Sequence, residues 1–182
     1  GVPVPAVASR APDPLAFSPA GASLAVAGAA APAEVWDVAD GRRSVTLDAG
    51  PQETVAFDPA GRRLVTAPSD PRRGDTLQVW DTATWEPTGS FPQALAAYRV
   101  AFSPDGDTLA ITQADRSAVV LWRVEKARTG RLTGNDEPPR SVLWAPDGHA
   151  VYSVGGSDGV LAWNPTNRRL TQRFELPDEP GS

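Results

Sequence analysis

Two short sequence boxes each occur four times in this chain, and their shared period leaves few folds open. The first is an apolar–aromatic–x–Pro–x–Gly box whose aromatic residues recur at intervals of 40, 45 and 42 residues: Phe17, Phe57, Phe102 and Trp144. The second is centred on a tryptophan and recurs at intervals of 44, 42 and 41 residues: Trp36, Trp80, Trp122 and Trp163. A period of forty-odd residues, carried by two independent markers, indicates repeated units that stack on one another.

Each repeat has the pattern of four short β-strands. The first box reads as the end of a strand that enters a tight turn, because Pro fixes φ and Gly tolerates the positive φ that such turns need. Short apolar runs predict second strands, the tryptophan boxes predict third strands, and weaker, more polar segments predict fourth strands. The second strands are expected at 24–27, 64–67, 109–112 and 151–154, and the fourth at 44–47, 88–91, 128–132 and 170–174. No segment shows sustained helical periodicity.

Four antiparallel strands per unit, with boxes such as Val35-Trp36-Asp37 and Val79-Trp80-Asp81, resemble the Trp-Asp (WD) repeat family in a degenerate form. The resemblance covers about residues 14–174. It implies an all-β fold, a β-propeller of four-stranded antiparallel blades with four blades in this chain. The blades are expected at about 14–50, 51–95, 96–138 and 139–176, with a short C-terminal tail to residue 182. Residues 1–13 are expected to form an N-terminal linker or the outer strand of a preceding blade.

The number of blades leaves three ring arrangements open. The chain could close as a four-blade ring, form half of an eight-blade ring completed by a second chain, or be an excerpt of a longer array. Open blade ends would expose large apolar faces, which soluble monomers rarely tolerate. We therefore expect an incomplete ring that is finished by a second chain or by further blades.

The chain departs from the family pattern in its polar residues. The family places a Gly-His pair before the first strand and an Asp before the third, which form a hydrogen-bonded tetrad with a Ser or Thr and the Trp. The single histidine, His149, instead follows Asp147-Gly148 in a turn, so no blade can build that tetrad. Asp75 and Asp158 precede Trp80 and Trp163 by five residues and are expected to cap turns at most. Blade packing is therefore expected to be mainly apolar.

Composition argues against most site chemistry. Without Cys and with one His, the chain lacks the members of nucleophile–base pairs and of thiolate or histidine metal sites. Asp105-Gly106-Asp107 lacks the later Glu of a calcium loop. We predict no catalytic residue, no cofactor and no metal.

The net charge of −5 argues against a nucleic-acid partner, and no apolar run of membrane-spanning length occurs. We expect a cytoplasmic protein. Sixteen of the seventeen basic residues are Arg, which resembles bacterial GC-rich usage.

Two sets of residues are candidates for binding a protein or peptide partner. The longest connection and the loops that enter the first strands supply one set, because binding groups concentrate on loops held by rigid scaffolds: Arg72, Arg73, Asp75, Tyr98, Arg99 and Arg140. The turns of the opposite rim supply a possible basic set: Arg42, Arg43, Arg62, Arg63, Arg168 and Arg169. Nearby carboxylates favour a salt-bridged surface, and the alternative is a guanidinium patch for a phosphorylated or acidic segment.

The resemblance implies a non-catalytic scaffold for protein–protein interaction. A first alternative is a sensory or regulatory propeller segment of a larger bacterial signalling ATPase, kinase or protease. A second is a propeller enzyme of the lactonase or hydrolase type, which would need carboxylates that converge on the central channel.

Overall fold

All regular secondary structure in the described part of the chain is β-strand, as predicted. The computed structural model describes residues 15–28, 31–68, 76–91, 97–113, 116–155 and 159–175, with only the backbone described at 97 and 98. The strands are β1 Leu15–Phe17, β2 Ser23–Gly28, β3 Ala31–Asp37, β4 Arg43–Leu47, β5 Gln52–Phe57, β6 Arg63–Pro68, β7 Gln78–Asp81, β8 Pro87–Ser90, β9 Ala97–Phe102, β10 Thr108–Gln113, β11 Arg116–Arg123, β12 Arg128–Thr133, β13 Ser141–Trp144, β14 Val151–Val154, β15 Val160–Trp163 and β16 Leu170–Phe174.

Consecutive strands pair antiparallel in four units of four, which confirms the propeller blades expected from the repeat. Blade 1 is β1–β4, blade 2 is β5–β8, blade 3 is β9–β12 and blade 4 is β13–β16. Blades 1 and 2 share one extended sheet through a single pairing of Gly28 with Gln52. The first strands β1, β5, β9 and β13 lie beside one another in that order, so they form the inner wall of the arc.

The aromatic–Pro–Gly box forms the first hairpin of each blade in the predicted way. The residue after the aromatic side chain accepts an amide N–H five positions later in three blades: Ser18 Oγ from Ser23 at 3.0 Å, Asp58 Oδ1 from Arg63 at 3.1 Å, and Ser103 Oγ from Thr108 at 2.9 Å. The box glycine takes a φ between 69° and 76° in all four blades, a region that costs other L-residues about 1–2 kcal/mol.

Three apolar clusters join the blades in sequence. The back of a blade is here the face toward the next blade in sequence, and the front is the opposite face. Each cluster packs the back of one blade against the front of the next. Leu47 meets Leu64 and Trp80 between blades 1 and 2, Phe91 meets Trp122 edge-on at 5.3 Å between blades 2 and 3, and further clusters continue to blade 4. No cluster of described residues joins blade 4 to blade 1. The four blades therefore form an open succession.

The turns between first and second strands, and between third and fourth strands, lie on one edge of the blades, here called the turn rim. A methyl group built on Gly61 would lie 3.3 Å from Cδ of Pro19 in the preceding blade, and one on Gly106 would lie 3.4 Å from Asp58. The contact between two successive blades is here called a seam. Across the seam between blades 2 and 3, the Arg63 guanidinium donates hydrogen bonds to the Gly106 carbonyl and the Glu125 carboxylate. Successive turns thus rest on one another, blade by blade.

Packing between the blades is mainly apolar, as expected, and blades 2 and 4 add buried hydrogen bonds to it. The buried Trp80 indole donates to Thr66 Oγ1 at 3.1 Å, and Trp163 donates to Ser153 Oγ at 3.0 Å. Ser153 donates in turn to Asn135 Oδ1 at 2.9 Å. In blade 3, Ile111 replaces the hydroxyl residue, and the buried Trp122 Nε1 has no partner.

Asn135 stands nine residues before the box aromatic Trp144, in a Gly134-Asn135 pair that replaces the family's Gly-His pair. Blade 4 therefore keeps a shortened form of the family's hydrogen-bond chain without an imidazole. The expected turn caps, Asp75 and Asp158, lie outside the described residues.

Replacing Thr66 with Val should destabilise the protein by about 1–3 kcal/mol, because a nearly isosteric change leaves the buried Trp80 N–H without an acceptor. Urea unfolding measures it as a lower midpoint with an unchanged slope. Thr54→Val in the same blade is the matched control, since Thr54 is equally buried but its hydroxyl has no partner. The control should be neutral or stabilising. Equal losses in the two variants would contradict the role of the Trp80–Thr66 bond.

Candidate functional site

The inner strands line an open cavity of about 540 Å³, and most of its lining residues are apolar. Each of the four first strands contributes three consecutive residues to its wall, and these include Phe17, Phe57, Val100 and Leu143. Arg99 is the single ionisable residue among the described residues of this wall. Its amide N–H donates to the Thr112 hydroxyl at 3.1 Å, which fixes β9 against β10.

A larger groove of about 770 Å³ opens on the turn rim between blades 3 and 4. Arg123 ends β11 and Arg128 begins β12, so the short connection between these strands places both side chains at the rim of blade 3. Arg168 belongs to the turn between β15 and β16 of blade 4. All three guanidinium-bearing residues line the groove.

Arg168 reaches the groove from a strained backbone. Its φ is 62°, in the left-handed region that side chains rarely adopt. A methyl group built on Gly130 in β12 would lie 2.8 Å from Nε of Arg168, so the guanidinium lies against bare backbone of the neighbouring blade. A larger residue than Gly at position 130 would displace it.

The two carboxylates in the groove are already engaged by their own turns. Asp105 accepts from the Ser103 hydroxyl and from the Asp107 amide, and these bonds, with the Arg123 charge, lower the pKa of its carboxyl group. Asp147 accepts the His149 amide N–H at 2.9 Å. The guanidinium groups of Arg128 and Arg168 form no hydrogen bond or ion pair with the described residues. The groove therefore presents unpaired guanidinium donors.

The basic-rim residues named from sequence differ in their surroundings. Arg43 is paired with Glu34 at 2.7 Å and Arg63 with Glu125 across a seam. Arg42, Arg62 and Arg169 are exposed. Of that set, Arg168 alone lines the groove between blades 3 and 4.

The other predicted residues are dispersed. Arg72, Arg73 and Asp75 lie outside the described residues, as does the side chain of Tyr98. Arg99 lines the inner cavity. Arg140 is exposed, and its amide N–H donates to the Val154 carbonyl at 2.7 Å.

Sequence reasoning missed Arg123 and Arg128 as groove residues. Nothing in their local sequence separates them from ordinary charges at strand ends, because the groove forms only where two blades meet. Within the described ranges, no three His, Cys, Asp or Glu residues lie together as a metal site would require. The same ranges contain no helix with the length and apolarity to cross a bilayer.

Comparison with known proteins agrees with the observed architecture. The chain is similar to centriole proteome protein 16 of Chlamydomonas reinhardtii, with 31% identity over 162 residues, which is 87% of this chain and 7% of that protein. It is 27% identical over 139 residues to the WD repeat-containing protein SL1-17 of Schistosoma mansoni, covering 75% of this chain and 44% of the relative. The chain thus spans less than half of either relative. No family model matches it.

A solved structure shares the fold at low sequence identity. Hydrazine synthase of Kuenenia stuttgartiensis superposes with a TM-score of 0.77 and 16% identity, over 95% of this chain and 52% of that one. At this identity the likeness concerns the arrangement of strands alone.

Proposed function

Because this chain belongs to the Trp-Asp (WD) repeat family of β-propellers, we propose that it is a non-catalytic scaffold that holds an acidic or phosphorylated segment of a partner protein in the groove between blades 3 and 4. The observation that carries the proposal is the pair of unpaired guanidinium groups, those of Arg128 and Arg168, that line one groove from two neighbouring blades. Guanidinium forks match carboxylate and phosphate oxygens with two parallel bonds.

The rigidity of the groove supports a binding role. Its floor includes Leu121 and the half-buried Trp144, whose indole donates to the Ala101 carbonyl at 3.1 Å across the same seam. Fixed walls reduce the conformational entropy that a site loses on binding. A segment laid along the groove would therefore meet preformed donors.

The inner cavity supports the non-catalytic part of the proposal. A hydrolase of the propeller type would need carboxylates there, whereas the described wall holds apolar side chains, Ser141 and Arg99. A long apolar wall with one cation offers neither a general acid–base pair nor a cluster of metal ligands.

Titration of the full chain with a short peptide of Asp and Glu residues around one phosphoserine tests the proposal. We expect saturable, salt-sensitive binding by calorimetry, and recovery of the peptide unchanged. Arg128→Ala should weaken binding about tenfold, because each charge-assisted hydrogen bond contributes about 1.5–3 kcal/mol. Arg116→Ala, an exposed arginine at the start of β11 and outside the groove, is the matched control and should bind like the parent.

Two outcomes would contradict different parts of the proposal. Equal effects of Arg128→Ala and Arg116→Ala would remove the groove as the binding site. A peptide recovered cleaved or dephosphorylated would show that the protein is not a passive scaffold.

A further inference from the structure

Each end blade leaves uncovered one face that is covered in the internal blades. This face is the front in blade 1 and the back in blade 4. The front of an internal blade presents the box aromatic, the first apolar residue of the second strand, and the tryptophan: Phe57, Leu64 and Trp80 in blade 2, and Phe102, Leu109 and Trp122 in blade 3. The back presents the alternate residues of the same strands, such as Ala110, Leu121 and Leu132 in blade 3.

The front of blade 1 has the matching residues Phe17, Leu24 and Trp36, and none of them belongs to an apolar cluster of the described residues. Phe17 is 63% exposed, and Trp36 is half-buried. The equivalent tryptophans of blades 2, 3 and 4, at positions 80, 122 and 163, are 5%, 1% and 0% exposed. The surroundings of Gly21 show that the turn rim of blade 1 is uncovered as well. A methyl group built on Gly21 would meet nothing within 4 Å, although Gly61 and Gly148 each contact a proline of the preceding blade.

The back of blade 4 is open in the same way. Leu143 is 64% exposed, and Phe174 is 40% exposed at the place where Leu132 is fully buried in blade 3. The Tyr152 and Phe174 rings lie on this face with centroids 6.5 Å apart. All large hydrophobic side chains that are exposed in the described chain belong to blade 1 or blade 4.

We propose that the back of blade 4 packs on the front of blade 1 of a second copy of this chain, and that two such seams close a ring of eight blades. Each copy supplies both halves of the interface that it already forms three times internally. A head-to-tail contact that repeats identically after a half-turn closes as a two-fold assembly, and eight blades lie within the range of known propellers.

The charges at the new seam favour this occupant. Across the seam between blades 2 and 3, Arg63 pairs with Glu125. The repeat places Ala150 of blade 4 and Ala39 of blade 1 at these two positions. At these two positions the new seam therefore has no charge that would need a partner, and the large side chains exposed on the two faces are apolar.

Sedimentation of the 182-residue chain tests the proposal. We expect a species of twice the 19.1 kDa monomer mass that dissociates on dilution. Phe17→Asp and Phe174→Asp should each give folded monomers, because neither side chain is buried in one copy: Phe17 is 63% and Phe174 40% exposed. Thr166→Asp, on an exposed turn outside both faces, is the control and should dimerise like the parent.

Mixing the two monomeric variants distinguishes the head-to-tail seam from a symmetric one. Phe17→Asp keeps an intact blade 4 and Phe174→Asp an intact blade 1, so their mixture should form a heterodimer through one seam, more weakly than the parent. A parent monomer at every concentration would overturn the proposal. So would open polymers, or a dimer that survives either single substitution.

Discussion

Trp163→Ala should lower the free energy of unfolding by about 3–5 kcal/mol, the loss typical of removing a fully buried large aromatic side chain. Trp163 is the central side chain of the seam between blades 3 and 4, and its ring lies against Gly134, where a built methyl group would be 3.1 Å from Cη2. Its removal also leaves the buried Ser153 hydroxyl with one partner fewer. Chemical denaturation measured by tryptophan fluorescence and by circular dichroism should show the loss.

Trp36→Ala provides the comparison at the same position of the repeat. Trp36 is half-buried, and its indole donates to the adjacent Glu34 at 3.1 Å. In dilute protein, where copies are separate, its loss should cost less than about 2 kcal/mol, since much of its apolar surface is already in water. Equal losses from Trp36→Ala and Trp163→Ala would contradict the open front of blade 1.

The repeat made the fold predictable, because the information is present four times. Pro and Gly at fixed places in each box specify the first hairpin. Apolar runs of strand length then follow at constant distance, so the second strands were found where the sequence predicted them. Where the boundary of a polar fourth strand is ambiguous in one repeat, the other three repeats indicate where it lies.

The polar interior was harder to predict. Asn135 performs the hydrogen-bond role that a histidine has in the family, and the motif search for Gly-His passed over it. The spacing of nine residues before Trp144 was the available signal. Asn135 supplies a hydrogen-bonding side chain at this position, where the family motif has His.

One turn residue in each blade has a backbone conformation that its residue type does not predict. The residue five positions after the repeated tryptophan has a positive φ in every blade, yet it is Gly only in blade 1: Gly41, Trp85, Ala127 and Arg168. Packing of Trp85 against the cluster of blades 1 and 2, and of Arg168 over Gly130, occurs from this strained position. The groove depends on that geometry, so it became visible only in three dimensions.

Gly159→Ala should destabilise blade 4 by about 3 kcal/mol or more, because two effects coincide there. Gly159 has a φ of 69°, and a methyl group on it would clash with the Phe174 carbonyl oxygen, which is backbone and cannot move without opening the β15–β16 pairing. Thermal and urea unfolding should both record the loss.

Gly148→Ala isolates the two effects within the same blade. Gly148 has a φ of 74°, but its nearest neighbour, Cδ of Pro104, would be in ordinary contact at 3.8 Å. The cost should therefore be limited to the left-handed backbone, about 1–2 kcal/mol. A Gly159→Ala variant no less stable than Gly148→Ala would show that β16 is free to move away. Phe174 would then not be held firmly enough to form the back of blade 4.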